Sequence, residues 1–77
     1  MEDYEYTTVT YGLQVSVDKV GGGTLGRRYT GDWEVTVMNG DEYIYDRDIM
    51  YTGMSKSHVG VADMAADMAA ELIEERS

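Results

Sequence analysis

Alternating apolar and polar residues predict a β-strand near the start of the chain. The odd-numbered positions from Val9 to Val17 are apolar or aromatic, and the even-numbered positions between them are polar or glycine. Because successive side chains in a strand point to opposite faces, the pattern predicts one strand over residues 4–17 with a single buried face. Tyr4 and Tyr6 are at even-numbered positions, as the polar residues are, so we expect their side chains to point away from the core.

A glycine-rich segment separates this strand from the next. Residues 18–31 hold five of the nine glycines and show no apolar period, which predicts a long, mobile connection. Gly21, Gly23 and Gly26 have the spacing of a nucleotide-binding loop, with Arg27 directly after them. Such a loop must open a helix within a βαβ unit, and no such unit is predicted here, so the segment is interpreted as a flexible loop.

A tight hairpin is predicted between the second and third strands. Apolar and polar residues alternate from Trp33 onwards, and the dipeptide Asn39-Gly40 that follows is the strongest short-range hairpin signal. The two strands are therefore predicted over residues 32–38 and 41–47, joined by a two-residue type I′ turn.

The register of this hairpin decides which side chains are buried. With the two-residue turn, Ile44 lies in the core, and Tyr43 and Tyr45 lie outside. A three-residue loop with a bulge would reverse these positions, because the side-chain period of a strand is two. Ile49 has the opposite parity to Ile44, so a bulge or the end of the strand is predicted at residues 46–48.

The last third of the chain has the period of an α-helix. Apolar residues recur at helical spacing from Val59, and Ser55 or Ser57 is a candidate N-cap, which predicts a helix over residues 58–75. Its predicted packing face consists of Val61, Ala65, Met68 and Leu72. The elements define an α+β fold within a single domain over residues 1–77. In this fold a three-stranded antiparallel meander, in β-β-β-α order, carries one C-terminal helix packed on one face.

Acidic residues line one face of this helix. Asp63, Asp67, Glu71 and Glu75 recur every four residues, about 6 Å apart, where like charges repel each other. Glu74 adds negative charge near the C-terminus, where the helix dipole is already negative. Acids that oppose the stability of their own helix indicate either a need for solubility or a partner with a basic surface.

The net charge narrows the classes of partner. Fifteen acidic residues against six basic ones give a net charge of -9, which disfavours direct binding to nucleic acid or to an anionic membrane. No apolar run approaches the roughly 20 residues of a membrane span, and the lack of cysteine excludes a disulfide framework. We therefore expect a cytoplasmic protein with a basic protein partner. Salt adaptation or simple solubility is the alternative explanation for the same charge.

No residue pattern indicates catalysis, a metal site or a cofactor. Asp46 and Asp48 lack the glycine and the closing glutamate of a calcium-binding loop. The single histidine, His58, is predicted at the surface beside the helix cap, and Ser55 and Ser57 lie too close along the chain to form a catalytic triad with it. We expect a protein that is not an enzyme and binds no cofactor.

Tyrosines give a second indication of protein binding. The chain has seven, and Tyr43 and Tyr45 are predicted on the sheet face turned away from the helix, close in sequence to Asp41 and Glu42. Tyrosine is enriched in interfaces, and it is also favoured in strands, so both explanations stay open. A sheet covered on one face only also favours a homodimer through the other face.

In length, acidity, lack of cysteine and β-β-β-α order, the chain resembles small phage-encoded inhibitors of bacterial defence, in particular anti-CRISPR proteins. The resemblance implies binding to a CRISPR effector in the host cytoplasm and a block of target-DNA access or nuclease recruitment. It implies that lysines and arginines of the target are bound either by the helix acids or by the acids around Asp41 to Asp48. With the tyrosines of the outer sheet face, the candidate partner-binding residues are Asp63, Asp67, Glu71, Glu74, Glu75, Asp41, Glu42, Tyr43 and Tyr45. The alternative is a homodimeric antitoxin-like or regulatory protein-interaction module.

Overall fold

The computed structural model describes residues 5–20, 24–25 and 28–76, and it describes side chains at residues 5–20, 31–52 and 57–76. The elements are β1 (Glu5–Thr10), β2 (Leu13–Lys19), β3 (Thr24–Leu25), β4 (Arg28–Asn39), β5 (Glu42–Lys56) and α1 (His58–Arg76). Strands β1, β2, β4 and β5 form an antiparallel meander in that order, and α1 packs on one face. The α+β class and the C-terminal helix are confirmed, with four long strands in place of the predicted three.

The predicted first strand is in fact two strands joined by a tight turn. β1 and β2 pair antiparallel around Tyr11 and Gly12, which have φ angles of 56° and 74°. Two successive positive angles are those of a type I′ turn, whose twist matches that of the flanking strands. The reversal puts Tyr6 against the core and leaves Val9 and Tyr11 exposed, so the predicted positions of these three residues are wrong. Tyr4 lies outside the described residues.

Much of the predicted loop at residues 18–31 belongs to strands. β2 continues into this segment, and β4 begins within it. Tyr29 of β4 pairs with Thr24 of β3 and also with Lys56 of β5. Because β5 occupies one side of β4, β3 lies on the other side, where β2 also pairs with β4. The predicted mobility of residues 21–23 and 26–27 concerns positions outside the described residues.

The turn between β4 and β5 is displaced by one residue from its predicted position. Gly40 and Asp41 occupy the turn, in place of Asn39 and Gly40. The φ of 64° at Gly40 fits the first central position of a type II′ turn, which favours glycine. The displacement shifts the cross-strand partners by two residues near the turn. Because the side-chain period of a strand is also two, each side chain there stays on its predicted face of the sheet. Ile44 therefore packs against the core and Tyr43 lies outside, as predicted.

Strand β5 has three irregularities in its pairing with β4, and two of them lie before residue 49. The register shifts once between Tyr43 and Tyr45 and again between Tyr45 and Asp48. The first shift turns Tyr45 towards the core, so its predicted outside position is wrong. The second falls in the predicted segment 46–48, and the two shifts together leave Ile49 exposed. β5 then continues through most of the predicted connection before the helix.

Ser57 caps the N-terminus of α1. Its Oγ accepts a hydrogen bond from the backbone N–H of Gly60 at 3.1 Å, and its carbonyl accepts one from the N–H of Val61 at 3.0 Å. In this geometry the cap side chain satisfies an N–H of the first turn that has no partner within the helix. The predicted cap and the predicted start of the helix at residue 58 are confirmed.

The buried face of α1 is rotated by roughly 60° about the helix axis from the predicted face. Met68 is 43% exposed and Leu72 is half-buried, so the prediction that they lie at the centre of the packing face is wrong. The fully buried helix positions are Val61, Ala62, Ala65, Ala66 and Ala69. They pack on a sheet core of Leu13, Val15, Val17, Trp33, Val35 and Val37. Small helix residues let the helix lie close to these bulkier side chains.

Polar groups are buried beneath the start of the helix. Trp33 Nε1 donates a hydrogen bond to Thr52 Oγ1 at 3.0 Å, and the Thr52 hydroxyl donates one to the Gly31 carbonyl at 3.5 Å. The ring of His58 meets Trp33 edge-on, with 5.0 Å between centroids, and only 5% of the residue is exposed. The predicted surface position of His58 is therefore wrong, because its ring is part of the core.

Candidate protein-interaction surfaces

The acidic side chains of α1 form an exposed row along the helix. This helix acid row consists of Asp63, Asp67, Glu71, Glu74 and Glu75, all of which are exposed. It extends for about 18 Å along the helix axis at about 1.5 Å per residue. The only basic residue of α1 is Arg76, in its last turn. The structure thus brings together the five helix acids that the sequence analysis selected.

One member of the helix acid row also holds the first hairpin against the helix. The Tyr11 hydroxyl donates a hydrogen bond to Asp67 Oδ1 at 2.7 Å, which links the β1–β2 turn to the middle of α1. This hydrogen bond, and after it the negative charge of Asp67, raise the pKa of Tyr11 above its ordinary value. Asp67 therefore has a role in the fold. Asp63 and Glu71 are the better positions at which to test binding.

The predicted acids at the β4–β5 turn differ in their surroundings. Glu42 accepts a hydrogen bond from the Arg76 guanidinium, and this ion pair joins the start of β5 to the end of α1. Asp41 is exposed in the turn itself. The ion pair brings Glu42 next to the C-terminal end of the helix acid row, whereas Asp41 contributes charge at the tip of the hairpin.

The sheet face turned away from α1, here termed the open sheet face, carries a second group of acids. Arg47 pairs with Glu34 at 3.2 Å, and its backbone N–H donates to Thr36 Oγ1 at 3.2 Å. The positive φ of 56° at Arg47 accompanies the register shift that brings this side chain to the open sheet face. The shallow depression around it has a volume of about 380 Å³ and is lined by Glu5, Asp18, Glu34, Thr36, Tyr43, Asp46 and Arg47. Its lining is therefore predominantly acidic.

Exposed apolar and aromatic side chains accompany these acids on the open sheet face. Tyr43 is 53% exposed there, in agreement with its predicted position. Sequence reasoning missed Val9, Ile49 and Tyr51, which are even more exposed, because it found no turn in the first strand and ended the third at residue 47. Plain alternation continued from Tyr43 along β5 would have found Ile49 and Tyr51.

The predicted interaction residues are therefore divided between two opposite sides of the molecule. The helix acid row lies on one side, and Tyr43 lies on the other. Tyr45 belongs to neither surface, because it lines a small apolar cleft between β5 and α1 together with Met50 and Met68. A partner that binds one surface does not reach the other without surrounding the protein.

Comparison of the chain with protein-family models, with curated proteins and with solved structures finds no match. In the part of the chain that the structure describes, no helix is both long and apolar enough to cross a bilayer. Among the same residues, no group of three or more histidine, aspartate or glutamate side chains is placed to hold a metal ion. The two acidic surfaces are therefore the basis for inferring function.

Proposed function

We propose that this protein is a small acidic inhibitor that binds a basic surface of another protein. The observation that carries the proposal is the helix acid row, whose carboxylates are exposed on a helix with one base, Arg76, already paired with Glu42. Apart from Asp67, which bonds to Tyr11, the acids of this row do not stabilise the helix, because like charges four residues apart repel and acids near the C-terminus oppose the dipole. Contact with a basic surface would replace this repulsion with attraction.

The dimensions of α1 suit a groove that holds nucleic acid. The helix has 19 residues, which gives it a length of about 28 Å and a width of about 10–12 Å with side chains. Its carboxylates recur about every 6 Å, against roughly 3.4 Å between phosphates of one DNA strand, so the row does not reproduce a strand charge for charge. Pairing with some of the lysines and arginines in such a groove is sufficient to exclude nucleic acid from it.

The proposed target is a CRISPR effector, in the manner of the anti-CRISPR proteins that the chain resembles in size, acidity and order of elements. The protein would act in the host cytoplasm on the effector protein itself. Its net charge of -9 supports a protein partner over direct contact with nucleic acid or an anionic membrane. The proposal involves no catalytic step and no cofactor.

Cleavage of target DNA by a panel of purified, guide-RNA-loaded CRISPR effectors, with and without the protein, tests this proposal. We expect at least one effector to be inhibited. Inhibition should weaken as NaCl rises from about 0.1 to about 0.5 M, because exposed charge pairs are screened beyond about 8–10 Å at physiological ionic strength. The matching measurement is binding of labelled target DNA by the same effector.

Two matched double variants locate the binding surface. Asp63→Lys with Glu71→Lys reverses two members of the helix acid row and leaves Asp67 in place, and Asp32→Lys with Asp46→Lys reverses two exposed acids of the open sheet face. Each reversal raises the net charge by two, so both double variants go from -9 to -5. We expect only the helix variant to lose inhibition. Its fold should remain intact, because lysines four residues on either side of Asp67 attract it.

Other results would contradict parts of the proposal. Full inhibition by the helix variant together with loss in the sheet variant would place the interface on the open sheet face. Equal loss in both would show that net charge acts without a defined surface. Absence of inhibition across the panel would reject the proposed target.

A further inference from the structure

Among the described strands, the sheet has two long edge strands, β1 and β5, besides the two-residue β3, and only the β1 edge is regular. β1 pairs with β2 at six consecutive positions without a register shift, and no described strand pairs with its other side. β5, at the opposite edge, has two register shifts before residue 49, with Arg47 at φ 56°. Such bulges interrupt the row of outward-pointing backbone groups that an added strand needs. β1 is therefore the edge that can accept another strand.

Within its six described residues, β1 lacks the side chains that usually protect an edge. Its six residues include one charged side chain, Glu5, and neither lysine nor proline. Threonine, valine and tyrosine, which fill the other positions, favour the extended conformation. Val9 is 66% exposed on its outer face. A regular edge of this composition is a template for pairing with a further strand.

The hairpin turn determines which backbone groups point to this edge. In a hairpin with a two-residue turn the flanking residues, here Thr10 and Leu13, form a hydrogen-bonded pair. Along β1 the backbone groups of every second residue then point to β2. The N–H and C=O groups that point to the free edge belong to Glu5, Thr7 and Val9.

We propose that the β1 strands of two copies of this chain pair antiparallel about a two-fold axis at Thr7. In this register Thr7 faces Thr7 and Glu5 faces Val9, so every edge-facing residue is used, in about six backbone hydrogen bonds. A shift of two residues in either direction leaves about four. Because opposed residues lie on the same face, the two sheets join into one and both helices cover the same side of it.

Charge favours the β1 edge over the open sheet face as the contact between copies. Two open sheet faces placed together would oppose acid to acid, because the depression at their centre has four carboxylates and one guanidinium. In the edge pairing, Glu5 is the only charged residue of the ladder, and it faces the apolar Val9. The remaining repulsion comes from the net charge of -9 on each copy, which acts over a longer range and is screened by salt.

Salt therefore affects the two proposed associations in opposite directions. Self-association through β1 should strengthen as salt rises, because screening reduces repulsion between two acidic copies. Binding to a basic partner should weaken, because the same screening reduces attraction. The dimer does not depend on the proposed function, and either can fail while the other holds.

Disulfide trapping tests the register. The chain has no cysteine, so one substitution introduces the only thiol. Thr7→Cys places two thiols across a hydrogen-bonded pair, with Cα atoms about 5.5 Å apart, which is within disulfide range. Val9→Cys, on the same outer face of β1, places them about 14 Å apart and serves as the matched control. We expect Thr7→Cys to form a covalent dimer under mild oxidation and Val9→Cys to remain monomeric.

Sedimentation velocity of the unmodified chain measures the same association without a thiol. We expect a dimer fraction that increases with protein concentration and is larger at about 0.5 M than at about 0.05 M NaCl. Thr7→Pro removes an N–H that points to the edge and not to β2, so it should abolish the dimer and keep the fold. Fluorescence of the buried Trp33 reports whether it does.

Three results would overturn the proposal. The first is a monomer at every concentration in both salts, which would leave the edge for a strand of another protein. The second is crosslinking of Val9→Cys as fast as that of Thr7→Cys. The third is a dimer that persists in folded Thr7→Pro. If that variant does not fold, the comparison of crosslinking in Thr7→Cys and Val9→Cys tests the proposal instead.

Discussion

Replacing Ala66 by leucine tests the alanine-lined packing of α1 on the sheet. Ala66 has no solvent exposure and belongs to the core, whereas a packing face centred on Met68 would leave it near the surface. Leucine adds three carbon atoms at this position. Extra methylene groups in a well-packed core cost about 1–3 kcal/mol, because neighbouring side chains or the backbone must move. Outward movement of α1 would uncover the valines of β2 and β4 that it now covers.

The expected loss is a large share of the stability of so small a domain. At 0.05–0.15 kcal/mol per residue, 77 residues give a free energy of unfolding of about 4–12 kcal/mol. With a urea m-value of about 1 kcal/mol per molar, a loss of about 2 kcal/mol lowers the unfolding midpoint by about 2 M. Trp33 is the only tryptophan and is fully buried, so its fluorescence follows the transition.

Met68→Ala is the control, and the order of the two effects decides the outcome. Met68 is 43% exposed, so truncation removes only part of a burial worth about 1.5–3 kcal/mol, and we expect a loss of about 1 kcal/mol. The helix face predicted from sequence would reverse the order, with a cost of about 2–5 kcal/mol for Met68→Ala and almost none for Ala66→Leu. Measuring that reversed order would refute the packing described above.

Four further substitutions, at three positions, test single features of the fold. Ser57→Ala removes the N-cap and should lower the free energy of unfolding by about 1 kcal/mol in the same urea titration, and no change would show that the cap is dispensable. Tyr11→Phe removes the hydrogen bond to Asp67. The pKa of Tyr11 is raised in the folded state. The hydrogen bond therefore contributes to the stability of the fold at pH values below the ordinary tyrosine pKa, and this contribution is lost as pH rises through the raised value. The Tm difference from Tyr11→Phe should thus be constant near neutral pH and shrink in alkali, and a difference that grows in alkali would contradict this assignment. Arg47→Gly should be more stable than Arg47→Ala by about 1 kcal/mol, because both lose the Glu34 pair but only alanine keeps the strain of φ 56°; equal stability would mean that the strain is negligible.

The features that sequence predicted correctly have local physical causes. Ser57 caps α1 because a hydroxyl before a helical period satisfies an N–H of the first turn. The exposure of the helix acids follows from the high cost of removing an ionised carboxylate from water. The β4–β5 hairpin follows from a glycine between two alternating segments, although sequence placed the turn one residue too early.

The first hairpin could not be found from the period alone. Residues on either side of a two-residue turn share a face although their numbers differ by three, so the parity of the buried positions inverts across the loop. Apolar alternation in the sequence runs through Tyr11 and Gly12 without a break and therefore shows one strand. The positive φ of Tyr11 is uncommon for a residue other than glycine, and its hydroxyl bonds to Asp67, far along the chain.

The helix face and the course of β5 depend on neighbours distant in sequence. Bulk favours Met68 and Leu72 for burial, but Trp33 and the sheet valines already fill the space beneath the helix, so alanines fit there better. Tyr45 turns inward because β5 has an extra residue relative to β4 at that point. Neither fact follows from the period of one segment, because each is a property of two elements packed together.

A dimer built through β1 would present two helix acid rows on the same side of the joined sheet. A basic partner surface wide enough for both rows would bind the second one intramolecularly, at an effective concentration that reaches the millimolar range. Thr7→Pro would then keep an intact helix acid row but act as a monomer, and we expect it to inhibit the same effector only at concentrations at least about 100-fold higher. The oxidised Thr7→Cys dimer should match the unmodified chain and should keep its potency on dilution. Equal potency of Thr7→Pro and the unmodified chain would show that each row acts alone, even if the dimer forms, because pairing through β1 would then add nothing to the bound state.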